Sequence, residues 1–86
     1  MRRVAASRVY FYNIGVNKDD KEFHTNHVVE LFDHVIVNHY PLEGEIAMTE
    51  WLGGTILISE RHAFHTPKTL SIEELSVVSL DKLEML

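Results

Sequence analysis

HVVELFDHVIVNHYPL, residues 27–42, can be read as two different structures, and the choice decides the architecture of the whole chain. As a helix, Val28, Phe32, Val35, Ile36 and Tyr40 share one face, Asn26 offers an N-cap and Pro41 a stop. As a hairpin, VVEL and VIVNHY are strands connected through Phe32-Asp33-His34. Five β-branched residues, Val28, Val29, Val35, Ile36 and Val37, lose side-chain freedom in a helix and fit a pleated surface. The hairpin is the reading adopted; the alternative is an α+β chain with residues 27–40 helical.

Working outward, RVAASRVYFY (3–12) reads as a strand, with Val9 and Phe11 alternating with Tyr10 and Tyr12. NIGVNKDDKE (13–22) combines Asn, Gly, Asp and Lys without periodicity, which predicts an exposed loop. Gly53-Gly54 is the clearest turn signal, because paired glycines take positive φ without steric strain. It is read as a hairpin turn between strands MTEWL (48–52) and TILIS (55–59). Leu57 interrupts the polar face of TILIS and suggests burial on both sides. Residues 60–70 carry Pro67 and no period, and are read as a loop. Ser71-Ile72-Glu73-Glu74 matches the capping box, so a short helix should begin there. SVVSL (76–80) has strand composition and DKLEML (81–86) helix formers, so 71–86 is read as a short helix or strand with a tail. The expected fold is mainly β: a single small domain over 1–86, a sheet or sandwich of about five short strands with one short C-terminal helix.

Size and composition narrow the function classes. At 86 residues, one small domain buries only about 60% of the surface its unfolded chain exposes. Hydrophobic residues at 45% and charged residues at 24% are those of an ordinary folding domain. Thirteen acidic against eight basic residues give a net charge of −5, which works against nucleic-acid binding because that binding draws on phosphate neutralisation. The absence of cysteine removes disulfides and thiolate nucleophiles and permits a reducing compartment. No run approaches the ~20 apolar residues of a membrane helix. Polar Ser7 and Arg8 lie close behind Arg2-Arg3, so no signal h-region forms and a cytoplasmic location is expected.

Six histidines carry the chemical interest: His24, His27, His34, His39, His62 and His65. Imidazole is a common metal ligand and titrates near neutral pH. H-x-x-H occurs at His24/His27 and at His62/His65, and the four imidazoles would suit zinc, copper or nickel. On a helix each pair would share a face; on a strand the same spacing sends the rings to opposite faces. Thr25 and Ala63 stand where the zinc-protease H-E-x-x-H needs glutamate. Exposed or structurally hydrogen-bonded histidines are therefore the first reading of these pairs.

Other constellations are incomplete. Ser59, Ser71, Asp33 and His34 can be assembled into a nucleophilic triad on paper, but no G-x-S-x-G elbow supports it. Gly53-Gly54 lacks the lysine and helix of a phosphate loop. Glu43, Glu45 and Glu50 lack the spacing of a hard-cation loop. Tyr10, Tyr12, Tyr40 and Trp51 suit either a core or a partner surface.

Taken in order, R-V-Y-F (8–11), HVVELFDHVIVNHYPL (27–42) and TEWLGGTILIS (49–59) resemble the small β-sandwich domain that composite-domain metal-dependent amidohydrolases build from their chain ends; the resemblance spans residues 6–59. In that family a Pro-Gly ending and an H-x-H motif come after the last strand. Here Ser59-Glu60-Arg61 stand in that place, and His62/His65 are separated by two residues. The 27 remaining residues leave no room for a catalytic barrel, so no catalytic residue carries over and the implied object is a free-standing β domain. The chain is also similar to short uncharacterised bacterial proteins through Pro41-Leu42-Glu43-Gly44-Glu45-Ile46, Thr49-Glu50 and Gly54-Thr55-Ile56-Leu57. That similarity implies no activity.

The functional expectation is a non-enzymatic interaction or self-association domain with no catalytic residue and no cofactor, forming a homo-oligomer or meeting a protein partner through an edge strand. Nucleic acid and membrane are not expected partners. The alternative is a histidine-based metal-binding protein holding zinc or another transition metal with His24, His27, His62 and His65. A third reading is pH sensing, since protonating every histidine moves the formal charge from −5 to +1.

Overall fold

The computed structural model describes residues 1–11, 22–44, 48–75 and 77–86. The chain forms β1 (Arg2–Phe11), β2 (Glu22–Phe32), β3 (Val35–Pro41), β4 (Glu50–Trp51), β5 (Thr55–Ser59), β6 (His62–Thr66), a single-turn helix α1 (Ile72–Leu75), a 3-10 turn (Leu80–Lys82) and β7 (Glu84–Met85). All seven strands belong to one sheet in the order β3-β2-β1-β5-β6-β7, with β4 also on β1. The fold is mainly β. Among the described residues no helix is long and apolar enough to cross a membrane.

Residues 27–42 form the expected hairpin. Asp33 and His34 turn the chain with φ of +53° and +67°, the left-handed pair whose twist matches that of the flanking strands. Glu60 and Arg61 repeat this turn with φ of +50° and +71°, and it carries the chain from β5 into β6. Residues 60–70, expected to be a loop, therefore contain a strand, His62–Thr66, paired antiparallel with all of β5. The expected loop at 13–22 falls on residues outside those described, apart from Glu22, which opens β2.

Gly53-Gly54 does not make a hairpin. β4 and β5 both run parallel to β1, β4 beside Val4 and Ala5 and β5 beside Arg8 to Phe11. The glycines make a jog between two segments that track the same central strand. Both have positive φ, and a Cβ on Gly54 would overlap the carbonyl oxygen of Thr66 and the backbone of Pro67. Glycine is required there by close backbone approach as well as by φ.

The sheet curls on itself. The Ile36 amide donates to the Arg61 carbonyl at 2.8 Å, linking the start of β3 to the β5–β6 turn. The Leu86 amide donates to the Ala63 carbonyl at 2.8 Å, and the concave face fills with Val4, Ala6, Val9, Phe11, Val29, Leu31, Ile56, Ile58, Ala63 and Leu86. On the convex face, Tyr10 and Leu57 are covered by Leu70 and Leu75. Leu57 is thus buried on the face where the pattern of TILIS placed polar neighbours. The C-terminal segment packs on the sheet. The Ser71 capping box forms as expected, the Glu74 amide donating to Ser71 Oγ at 3.2 Å and the Ser71 amide to Glu74 Oε1 at 3.3 Å. The strand-like SVVSL forms no strand among its described residues; the last strand is instead Glu84–Met85, on β6.

Candidate metal centre

A regular strand would send His24 and His27 to opposite faces. The β1–β2 ladder has one interruption: Ala6 pairs with His27 and Arg8 with Thr25, and the pairing skips Ser7 and Asn26. Asn26 adopts φ of +47°, a left-handed conformation that asparagine tolerates better than most residues. The alternation inverts across this point in both strands. On β1 the concave face takes Val4 and Ala6 before the interruption and Val9 and Phe11 after it. Their partners on β2 behave alike: Val29 and His27 on one side, His24 on the other. The strand expectation fails for His24/His27 because of this local inversion, and the two rings stack at 4.2 Å between centroids with 16° between planes.

His39 joins them from β3. It pairs with Val29, which puts it on the concave face diagonal to His27. Its neighbours on the strand hold that orientation from behind. Asn38 Nδ2 and the Tyr40 hydroxyl both donate to the Glu30 carboxylate, at 3.3 and 3.0 Å, and Arg3 Nε donates to it at 2.8 Å. With Asn38 and Tyr40 fixed on the convex side, the residue between them must face inward. Arg3 is the main reason the Glu30 carboxyl is held below the ordinary carboxylate range, with the Tyr40 and Asn38 hydrogen bonds adding to it. Burial, then the bond to Glu30, pushes the Tyr40 hydroxyl above its usual value.

His27 Nε2 lies 2.9 Å from His39 Nδ1, so one ring donates and the other accepts. Phe11 packs against both outer rings, edge-on to His24 at 5.8 Å and tilted against His39 at 4.7 Å. One ligand nitrogen from each of the three histidines lies within 4.8 Å of the other two. His27 is 2% exposed, and His24 and His39 are half-buried. Three imidazoles without a thiolate or carboxylate suit zinc, copper, nickel or cobalt and disfavour the oxygen-seeking calcium and magnesium.

The second H-x-x-H pair does not join the site. His62 and His65 sit on regular strand and face opposite sides of β6, as the spacing implies. His62 Nδ1 donates to the Glu60 carbonyl at 3.1 Å and His65 Nε2 to the Gly53 carbonyl at 3.0 Å. Of the four histidines expected to act together, His24 and His27 converge, His62 and His65 do not, and His39 takes their place. Two of the four candidates for a nucleophilic triad are engaged elsewhere: His34 Nδ1 donates to the Leu86 carbonyl at 3.1 Å and Ser71 caps α1. Of the acidic group, Glu50 pairs with Arg2 at 3.1 Å, and Glu45 lies outside the described residues.

Beside His39, where β3 parts from the β5–β6 hairpin, a cleft of about 410 Å³ opens between Ile36, Val37, Asn38 and His39 on one side and Ile58 and Arg61 on the other, with Phe11 between them. No protein-family profile, curated protein or solved structure matches the chain.

Proposed function

We propose that this protein binds a transition-metal ion of the zinc class through His24, His27 and His39. The observation that carries the reading is the convergence of three imidazole nitrogens within 4.8 Å on the concave face of the sheet. Two devices deliver them: the left-handed Asn26 brings His24 and His27 to one face, and the pairing of β3 with β2, held by the Glu30 network, brings His39 diagonal to His27. The 2.9 Å bond between His27 and His39 holds a proton where a metal would sit. A tetrahedral ion with bonds of about 2.0 Å needs nitrogens about 3.3 Å apart, so binding replaces that proton and widens this pair slightly.

With these three neutral ligands, and no fourth among the described residues, the arrangement is that of a site that takes an exogenous ligand. The test is equilibrium dialysis of untagged protein against zinc and cobalt with elemental analysis, repeated for His27→Gln and His39→Gln. One ion per chain, lost in both variants while their unfolding midpoints persist, is the expected result. An ion content unchanged by either substitution would refute the site.

A second reading, a self-association domain, draws on a different observation. β3 is a terminal strand of the sheet, and Val37 on its bulge and Phe32 at the end of β2 are exposed. Strand edges of this kind pair with a second copy. Sedimentation showing a strict monomer at tens of micromolar would remove this reading; it leaves the metal site untouched.

A further inference from the structure

The geometry points to a small monocarboxylate as the ligand that completes the metal's coordination, held between the ion and Arg61 in the cleft beside His39. The inference rests on the three-histidine site proposed for this chain and names what that site takes. Three neutral imidazoles leave a divalent ion with its full charge, and among the described residues no carboxylate belongs to the group. An anion from solution would supply the missing ligand and neutralise part of that charge.

The cleft shares His39 and Phe11 with the site, so a ligand bound beside His39 has room to extend into it. Phe11, Ile36, Val37 and Ile58 give it an apolar side, which makes up about half of its lining. Its cation is Arg61, whose guanidinium makes no hydrogen bond or ion pair among the described residues. The left-handed turn that Arg61 occupies is tied to β3 by the Ile36 amide at 2.8 Å, which fixes where the side chain starts. A planar guanidinium matches a carboxylate through paired hydrogen bonds. A phosphate or sulfate would call for several donors, and among the described residues the cleft offers a single guanidinium, the Asn38 side-chain amide being turned to Glu30 on the other face. The apolar walls select instead for a carboxylate carrying a hydrocarbon body, and about 410 Å³ is within the range that holds such a molecule.

The experiment uses the full chain loaded with cobalt, whose visible spectrum reports its ligands. Cobalt alone is titrated first, so that failure of the metal site is read independently as the absence of a bound-ion spectrum, and that outcome overturns both claims. In cobalt-loaded protein, benzoate should shift the spectrum and bind about tenfold more tightly than acetate, reflecting burial of the ring against the apolar walls. Arg61→Gln should retain cobalt stoichiometry and affinity while weakening benzoate about tenfold, and Arg61→Lys should fall between them. Normal cobalt binding with no spectral response to benzoate, or equal benzoate affinity in wild type, R61Q and R61K, would overturn the inference. Acetate binding as tightly as benzoate would show an open metal position without a built cleft, and would overturn it too.

Discussion

Gly54→Ala, compared with Gly53→Ala one residue away, isolates backbone approach from backbone conformation. Both glycines are left-handed, with φ of +66° at Gly53 and +61° at Gly54. An alanine in that region costs about 1–2 kcal/mol, offset by about 0.4–1 kcal/mol because alanine restricts the unfolded chain. At Gly53 the added Cβ meets only Trp51 Nε1 at 3.6 Å, an ordinary contact, so the net loss should be about 1 kcal/mol or less. At Gly54 the Cβ overlaps the Thr66 carbonyl and the Pro67 backbone, and no rotamer change relieves it. β6 must then move away from Thr55, whose Oγ1 donates to the Lys68 carbonyl and accepts from the Leu70 amide, each at 2.9 Å. Two hydrogen bonds at about 1 kcal/mol each bring the expected loss to roughly 3 kcal/mol. Urea unfolding at equal m-value should separate the variants by about 2 kcal/mol. In a domain of this size that corresponds to a melting difference of about 8–16 °C. Variants within about 0.5 kcal/mol of each other, inside the usual scatter of a surface substitution, would refute the close approach of the Gly53-Gly54 jog to the end of β6.

Other parts of the fold give further expected outcomes. Because Arg3 holds the Glu30 carboxyl below its ordinary value, Glu30 stabilises the fold fully above the unfolded carboxylate pKa, and that contribution fades as pH falls through its lower folded value. Glu30→Gln should therefore be less stable than wild type near neutral pH and converge with it in acid; a constant gap across unfolding curves would contradict this. Leu57→Ala, at a fully buried position under Leu70 and Leu75, should cost about 2–5 kcal/mol. It should also raise amide exchange across 70–83, and a loss below about 1 kcal/mol would mean the C-terminal segment does not cover that face. The double variant His62→Gln/His65→Gln should keep full metal stoichiometry in dialysis, since neither residue reaches the three-histidine group. Loss of the ion in this variant would place the wrong histidines in the site.

The β class was legible because residues 27–42 combine β-branched density with a short polar interruption. β6 was not, because Glu60-Arg61 carries none of the Asn-Gly chemistry that marks a left-handed two-residue turn. Tertiary closure through the Ile36 and Arg61 backbone supports that turn where local preference does not. Gly53-Gly54 announced positive φ correctly, but hairpin and jog share that signal. The difference between them lies in the long-range pairing of β4 and β5 with the same strand.

The candidate site was half-legible for a related reason. His24 and His27 were visible as a pair, but their convergence depends on Asn26, whose left-handed conformation inverts the strand's alternation. His39 depends on the irregularity between Glu30 and Leu31: Leu31 pairs with Ile36, whereas Glu30 pairs with Asn38, and Val37 is bulged. Counted from the turn without that bulge, Asn38 would face Val29 and His39 would point outward. A one-residue shift of this kind exchanges the faces of every later side chain, and nothing in NHYP announces it.

The most direct measurement is X-ray absorption at the zinc edge on stoichiometrically loaded, untagged protein. The expected spectrum has a first shell of nitrogen or oxygen at about 2.0 Å with outer-shell scattering from three imidazoles, and this protein-bound shell should be missing from His39→Gln, which loses the ion. A shell without imidazole scattering, or one unchanged by His39→Gln, would contradict a metal centre built from His24, His27 and His39.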